Sequence, residues 1–264
     1  MRYGKVFLVG AGPGAADLVT VRAVRCLQQA DVLIYDRLVS LELLDFVPGN
    51  CKKIYVGKRK NLHVMSQDEI NRELVRQARL GKVVVRLKGG DPFIFGRGGE
   101  EVDELARAGI AWEIVPGVTA ASGAGASLGM PLTHRDEAQA LTFVTAHRKS
   151  GQFDLDWSLV LHDRQTVAFY MALSCAADLV DELLARGKSP DTPFTIVANG
   201  TCSNEQYESC RLAEAKALLA RERFPSPALL VLGPRPRKER LLSAPFQDQA
   251  GSELQPVVAG LAVT

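Results

Sequence analysis

The 264-residue chain is long enough for one large domain or two of roughly 100–200 residues each, and its 47% hydrophobic residues fit a globular protein with a buried core. A balance of 32 Lys and Arg against 30 Asp and Glu leaves a formal net charge of +2, which argues against nonspecific nucleic-acid binding and makes any anion site local. Five scattered cysteines without a CxxC pair and four histidines without ligand spacing argue against a metal or a disulfide framework, and no apolar run approaches the roughly 20 residues of a membrane span.

Met1-Arg2-Tyr3-Gly4-Lys5 lacks the shape of a signal peptide and runs straight into a strand at residues 6–9, so a cytoplasmic protein is expected. That strand stops at Gly10-Ala11-Gly12-Pro13-Gly14, and a helical stretch follows with Leu18, Val21, Val24 and Leu27. Residues 31–35 and 53–56 read as the second and third strands. Ser66 and Glu69 then form a capping box, Ile70, Leu74 and Ala78 share one helical face, and Gly81 suits the helix end. Residues 83–87 make the fourth strand. Gly89-Gly90-Asp91-Pro92-Phe93-Ile94-Phe95-Gly96-Arg97-Gly98-Gly99-Glu100-Glu101 follows as a glycine-rich turn leading into a helix, and residues 112–115 make a fifth strand.

Helices between successive strands predict a parallel sheet with right-handed crossovers. The carboxyl ends of parallel strands share one edge, where ligands bind in open α/β sheets. The segments 10–14, 36–37, 57–59 and 89–92 therefore fall on a single rim. Pro116-Gly117-Val118-Thr119-Ala120-Ala121-Ser122-Gly123-Ala124 marks a shift to small residues and a domain junction. Beyond it, strand-like segments at 141–145, 166–170, 194–198 and 228–232, with a helix over 177–186, predict a second α/β unit. The expected division is 1–117, 118–242 and a loosely ordered tail at 243–264.

Gly10-Ala11-Gly12-Pro13-Gly14-Ala15 fits a loose dinucleotide pattern, with Asp36 as a ribose acid. Pro13 has no N–H to offer a pyrophosphate, and a second glycine turn after the fourth strand has no place in that scheme. Asp36 and Lys58 stand at adjacent strand ends, either as a surface ion pair or as groups that move protons and orient a substrate. The cations Lys58-Arg59-Lys60, Arg97, His134-Arg135 and His147-Arg148-Lys149 suit a solvated face or the carboxylates of a polyanionic small molecule.

Taken in order, these residues resemble the tetrapyrrole (corrin/porphyrin) methylase family over about residues 4 to 235. The carriers are Val9-Gly10-Ala11-Gly12-Pro13-Gly14, Tyr35-Asp36-Arg37-Leu38-Val39-Ser40, Val56-Gly57-Lys58-Arg59, residues 84–101, Pro116-Gly117-Val118-Thr119-Ala120-Ala121 and Pro131-Leu132-Thr133-His134-Arg135. The resemblance is to the members that act on uroporphyrinogen III rather than on later corrin precursors or diphthine. It implies two α/β domains with mostly parallel sheets in the tetrapyrrole methylase fold, a homodimer, and S-adenosylmethionine in the interdomain cleft with no metal. The implied activity is C-methylation of uroporphyrinogen III at two rings to give precorrin-2, on the sirohaem, cobalamin and haem d1 branch.

Carried over by position, the cofactor contacts are Pro13, Gly89, Gly90, Asp91, Ile94, Thr119, Ala120, Met171 and Gly200. The resemblance makes Asp36 the proton acceptor and Lys58 the donor, and lines the substrate cleft with Arg97, Glu100 and Arg135. Asp91 is expected to face the sulfonium. The chain departs from the family at Ala146, at Ala172 and over residues 202–211.

Overall fold

Two five-stranded sheets, each flanked by helices, organise the chain in a computed structural model that describes residues 3–57, 65–146, 148–149 and 152–237. Lys58 and the tail 243–264 lie outside the described residues. The first sheet contains β1 (Lys5–Gly10), β2 (Val32–Tyr35), β3 (Lys52–Tyr55), β4 (Val83–Lys88) and β5 (Ala111–Val115) in the order β3-β2-β4-β1-β5. Every pairing in it is parallel, as the alternation of strand and helix patterns predicts.

Helices α1 (Val21–Leu27), α2 (Gln67–Arg79) and α3 (Gly98–Arg107) cover this sheet. At the start of α2 the expected capping box forms: Ser66 Oγ accepts from the Glu69 amide at 3.3 Å, and Glu69 Oε2 accepts from the Ser66 amide at 2.7 Å. The helix ends before Gly81, whose φ of 77° suits a glycine. Its buried face (Ile70, Leu74, Ala78) packs with Val6, Leu8, Val32, Ile34 and Val84. Truncating the fully buried Leu74 to alanine is worth about 2–5 kcal/mol. Strand alternation sends Val85 and Leu87 to the opposite face, beside Val9, Leu27 and Leu33. By the same period, Val84, Arg86 and Lys88 share the face that carries α2 and α3.

The linker 116–119 leads into α4 (Ala120–Ser127) and the second sheet. This half contains β6 (Ala140–Thr145), a short hairpin β7 (Arg148–Lys149) and β8 (Gln152–Phe153), α5 (Ser158–Leu161), β9 (Gln165–Tyr170), α6 (Ala176–Ala185), β10 (Pro193–Ala198), β11 (Gln206–Arg211), α7 (Leu212–Arg221) and β12 (Ala228–Leu232). One face packs with Ala121, Ala124 and Leu128 of the α4 segment; the other packs with α6 and α7.

The expectation of mostly parallel sheets does not extend to this one. Its order is β11-β10-β12-β9-β6, and only β6 and β9 run parallel. For β10 and β11 the reason is connectivity: a short loop joins them, and such a link permits only an antiparallel neighbour. Strand β11 was absent from the predicted elements; it is the polar sequence 206–211, treated there as a family departure. Gln206, Glu208, Ser209 and Arg211 are exposed, as on an edge strand protected from further pairing. Among the described residues no helix is long and apolar enough to cross a membrane.

Candidate active site

The two glycine turns meet because β1 and β4 are neighbours in the sheet. The Gly90 amide donates to Gly12 O at 2.7 Å and the Gly12 amide to Gly90 O at 3.3 Å, with φ of 68° and 81° at the two residues. At Gly10 the fit is tighter still. A Cβ there would stand 2.6 Å from both Gly117 Cα and Gly90 O, so the ends of β1, β4 and β5 converge only if no side chain intervenes. Asp91 locks the arrangement by accepting from the Phe93 amide at 2.8 Å and the Gly117 amide at 3.0 Å. Each oxygen thereby holds one backbone N–H and Asp91 builds the rim; a carboxylate has further lone pairs, so these bonds are compatible with its facing a sulfonium.

The second domain closes onto this edge. Tyr170, at the carboxyl end of β9, places its hydroxyl 2.7 Å from Thr119 Oγ1 and accepts from the Ala121 amide at 3.0 Å. Burial pushes the Tyr170 phenol up, while the Thr119 and Ala121 hydrogen bonds act in the opposite direction. The Phe95 ring lies against Tyr170 with centroids 4.9 Å apart. Pro13 wedges against Gly123 of α4, where a Cβ would lie 2.5 Å from the proline ring. The Ala15 amide donates to Thr201 Oγ1 at 3.0 Å. Pro13, Gly90, Thr119 and Gly200 are thereby brought together where the two halves of the chain meet, with Gly89, Ile94, Ala120 and Met171 beside them in the sequence.

Backbone strain concentrates there. The non-glycine residues of positive φ among the described residues are Phe95, Arg97, Met171, Asn199 and Thr201, all on loops beside the cleft. Each such conformation costs on the order of 1–3 kcal/mol and persists where the surroundings over-determine it. Phe95 and Met171 remain exposed, giving the cleft mouth an apolar surface.

Asp36, just after β2, is one-quarter exposed; its Oδ1 accepts from the Leu38 amide at 3.0 Å and its Oδ2 lies 3.4 Å from Arg86 Nη2. Arg97 grips Glu100 with two hydrogen bonds of 2.8 and 2.7 Å. These bonds hold the Glu100 carboxyl below its usual range and the Arg97 guanidinium above its own. Both groups face solvent at the start of α3, pre-aligned for an incoming polar ligand.

Arg135 does not join them within one chain. Helix α4 runs back along the sheet from the cleft, so residues 129–139 turn at the opposite end, before β6 starts. There Arg135 O accepts from Arg164 Nη2 at 3.4 Å, beside the start of β9. That end also holds a cavity of about 540 Å³ lined by His134, Glu137, Asp163, Lys188 and Arg235. Lys58 and His147 lie outside the described residues.

Sequence reasoning missed a buried ionic cluster below the rim. Arg86 and Lys88 are each 3% exposed and both reach Glu101, which is fully buried. Two cations at alternating positions of a central apolar strand were the available signal, because buried cations require a carboxylate partner. Tyr170 was read only as the end of the strand at 166–170, with no role at the site.

The cleft lining fits a cofactor of particular chemistry. A Cβ on Gly90 would enter open space with Thr119 Cα nearest at 4.0 Å, and the neighbouring residues offer uncharged backbone. With Pro13 in the first turn, this is a poor cradle for a pyrophosphate and a suitable one for a nucleoside carrying a sulfonium. Among the described residues no group of three or more His, Cys, Asp or Glu is placed to hold a metal.

Residues 5–216 match the family described as Tetrapyrrole (Corrin/Porphyrin) Methylases. The chain is 50% identical over 232 residues to a siroheme synthase of Chromobacterium violaceum, covering 88% of this chain and 49% of that protein. A siroheme synthase of Stutzerimonas stutzeri is 49% identical over 230 residues, covering 87% and 50%. The chain thus spans about half the length of these curated relatives. Among solved structures, uroporphyrin-III C-methyl transferase from Thermus thermophilus complexed with S-adenyl homocysteine is 39% identical with a TM-score of 0.74, covering 87% of this chain and 92% of that one. The cobalt precorrin-4 methyltransferase CbiF is 28% identical with a TM-score of 0.77, covering 87% and 94%.

Proposed function

The chain belongs to the tetrapyrrole (corrin/porphyrin) methylases, and from that premise we propose that it methylates uroporphyrinogen III at two ring carbons, giving precorrin-2, with S-adenosylmethionine as donor. The observation that carries this reading is the interdomain cleft. Its walls are glycine backbone and small uncharged side chains, and its mouth carries an ion-paired Arg97–Glu100 couple beside exposed Phe95 and Met171. Sequence identity of 39% to a uroporphyrin-III C-methyl transferase complexed with S-adenyl homocysteine supports it.

When bound, S-adenosylmethionine supplies an electrophilic methyl on a sulfonium sulfur. Gly89, Gly90, Asp91, Ile94, Thr119 and Ala120, with Pro13, Met171 and Gly200, would hold that cofactor across the two domains. Fixing the reacting carbon at roughly 3–3.5 Å from the methyl is the main rate contribution available to such a site. Arg97 binds a substrate carboxylate and thereby selects which ring faces the donor, with Glu100 keeping the guanidinium aimed. The partly exposed Asp36 carboxylate accepts the proton that the macrocycle loses after methylation. A homodimer and a cytoplasmic setting belong to the same reading and are checked by light scattering and cell fractionation.

Isothermal titration with S-adenosylhomocysteine and with NAD tests the cofactor assignment. The reading expects saturable binding of S-adenosylhomocysteine alone; binding of NAD alone would replace it with a nicotinamide enzyme.

A further inference from the structure

The buried cluster under the rim has an unusual balance of charge. Glu101 Oε1 accepts from Arg86 Nε at 3.0 Å, Lys88 Nζ at 2.9 Å and Gln67 Nε2 at 3.2 Å, while its Oε2, also buried, has no hydrogen-bond partner among the described residues. Arg86 is held further by Leu87 O at 3.2 Å and Ile34 O at 3.5 Å from Nη1. Its remaining nitrogen, Nη2, lies 3.4 Å from Asp36 Oδ2. The cluster therefore holds two interior cations against one interior carboxylate. The second carboxylate is Asp36, with a quarter of its side chain exposed.

Stability alone does not call for this arrangement. Desolvating buried ions costs free energy that an apolar group of similar volume avoids. Burial pushes the Lys88 ammonium down, with Arg86 adding to the effect and Glu101 opposing it. What the ionic version provides, and an apolar one does not, is a guanidinium fixed directly behind the Asp36 carboxylate. Its planar fork spans Glu101 and Asp36 together, which a lysine at the same position cannot do.

We propose that Arg86, oriented by Glu101, is a positioning residue that fixes the Asp36 carboxylate at the rim in the geometry that receives the substrate proton. The inference rests on the proposed methyl transfer and on Asp36 as its proton acceptor. Arg86 acts through Asp36 and does not touch the substrate.

The test is a double-mutant cycle of Arg86→Lys and Asp36→Asn, read by single-turnover methylation rates with uroporphyrinogen III and by S-adenosylhomocysteine affinity. Alone, Arg86→Lys is expected to slow methylation by about tenfold or more while leaving affinity within about twofold. In the Asp36→Asn background the same change is expected to alter the rate by less than about twofold, because its target is gone. Glu101→Gln provides the second variant, with the same expected non-additivity, should Arg86→Lys not fold. An equal slowing in both backgrounds, or affinity falling in step with rate, would overturn the positioning role and leave the methyl transfer standing. An inactive wild type would overturn both.

Discussion

The two sheets place their polar chemistry in opposite ways. In the first, every pairing is parallel, so the segments after β1, β2, β4 and β5 reach one edge and there contact one another through Gly10, Gly12, Gly90 and Gly117. In the second, three of the four pairings are antiparallel, and the loops divide between two ends. Met171 and Gly200 come to the cleft; Arg135 and a separate cavity lie at the other end. Closeness in a motif pattern therefore becomes closeness in space only where strand direction enforces it.

The sharpest test of the rim's priority is Asp36→Asn. Loss of a positioned proton acceptor should lower turnover by about 10²–10⁴-fold with S-adenosylhomocysteine affinity within about twofold, measured by stopped assays and calorimetry. Full activity in this variant would move the proton chemistry elsewhere.

The foundation of the same rim should fail on Glu101→Leu. The change leaves Arg86 and Lys88 buried without their carboxylate and should remove about 3–5 kcal/mol of stability in urea denaturation. In the native protein, burial alone would raise the Glu101 pKa, but Arg86 and Lys88 more than offset it and hold the carboxyl down. Its stabilising contribution is therefore full above the unfolded glutamate value of about 4.3 and is lost as pH falls through the lower folded value. Urea midpoints of wild type and Glu101→Gln should accordingly draw together on going from pH 7 towards pH 3. A gap that stayed constant would mean that folding does not shift the Glu101 pKa.

The convergence of strand ends is tested by Gly10→Ala, whose new methyl meets backbone at 2.6 Å. It should cost about 1–3 kcal/mol and weaken cofactor binding, whereas Gly49→Ala, with nothing within 4 Å, should be silent in both measurements. Arg97→Ala should raise the substrate KM by about tenfold and leave the melting temperature nearly unchanged, because its ion pair with Glu100 is exposed. Smallest of all should be Arg135→Ala, with turnover and KM within about twofold of wild type if each chain's cleft works alone. An effect as large as that of Arg97→Ala would draw the far end of the second sheet into the site through a second copy of the chain.

Much of the first half was legible in the sequence because its signals are local and mutually consistent. The Ser66–Glu69 capping box, the apolar face of α2 and the paired glycine turns each specify structure within a few residues. The position of Asp36, Gly89 and Gly90 on one rim followed from parallel order alone. Strand β11 escaped notice because an exposed polar edge strand has no apolar run to reveal it. The separation of Arg135 from Arg97 within one chain was not legible, because a motif gives no strand direction. That Asp91 also ties down two backbone amides was not legible, because a residue type does not report its hydrogen-bond partners. The Arg86–Lys88–Glu101 cluster needed the fold itself, since it joins a strand to a helix that begins ten residues after Lys88.

The claim on which the account turns is C-methylation of an intact tetrapyrrole in the interdomain cleft. It is tested most directly by anaerobic incubation of the purified protein with uroporphyrinogen III and S-adenosylmethionine, followed by mass analysis of the macrocycle. The account predicts a product heavier by two CH2 units, a methyl gained and a proton lost at each of two carbons, with two equivalents of S-adenosylhomocysteine released. Recovery of unmethylated macrocycle from a protein that binds S-adenosylhomocysteine would contradict it.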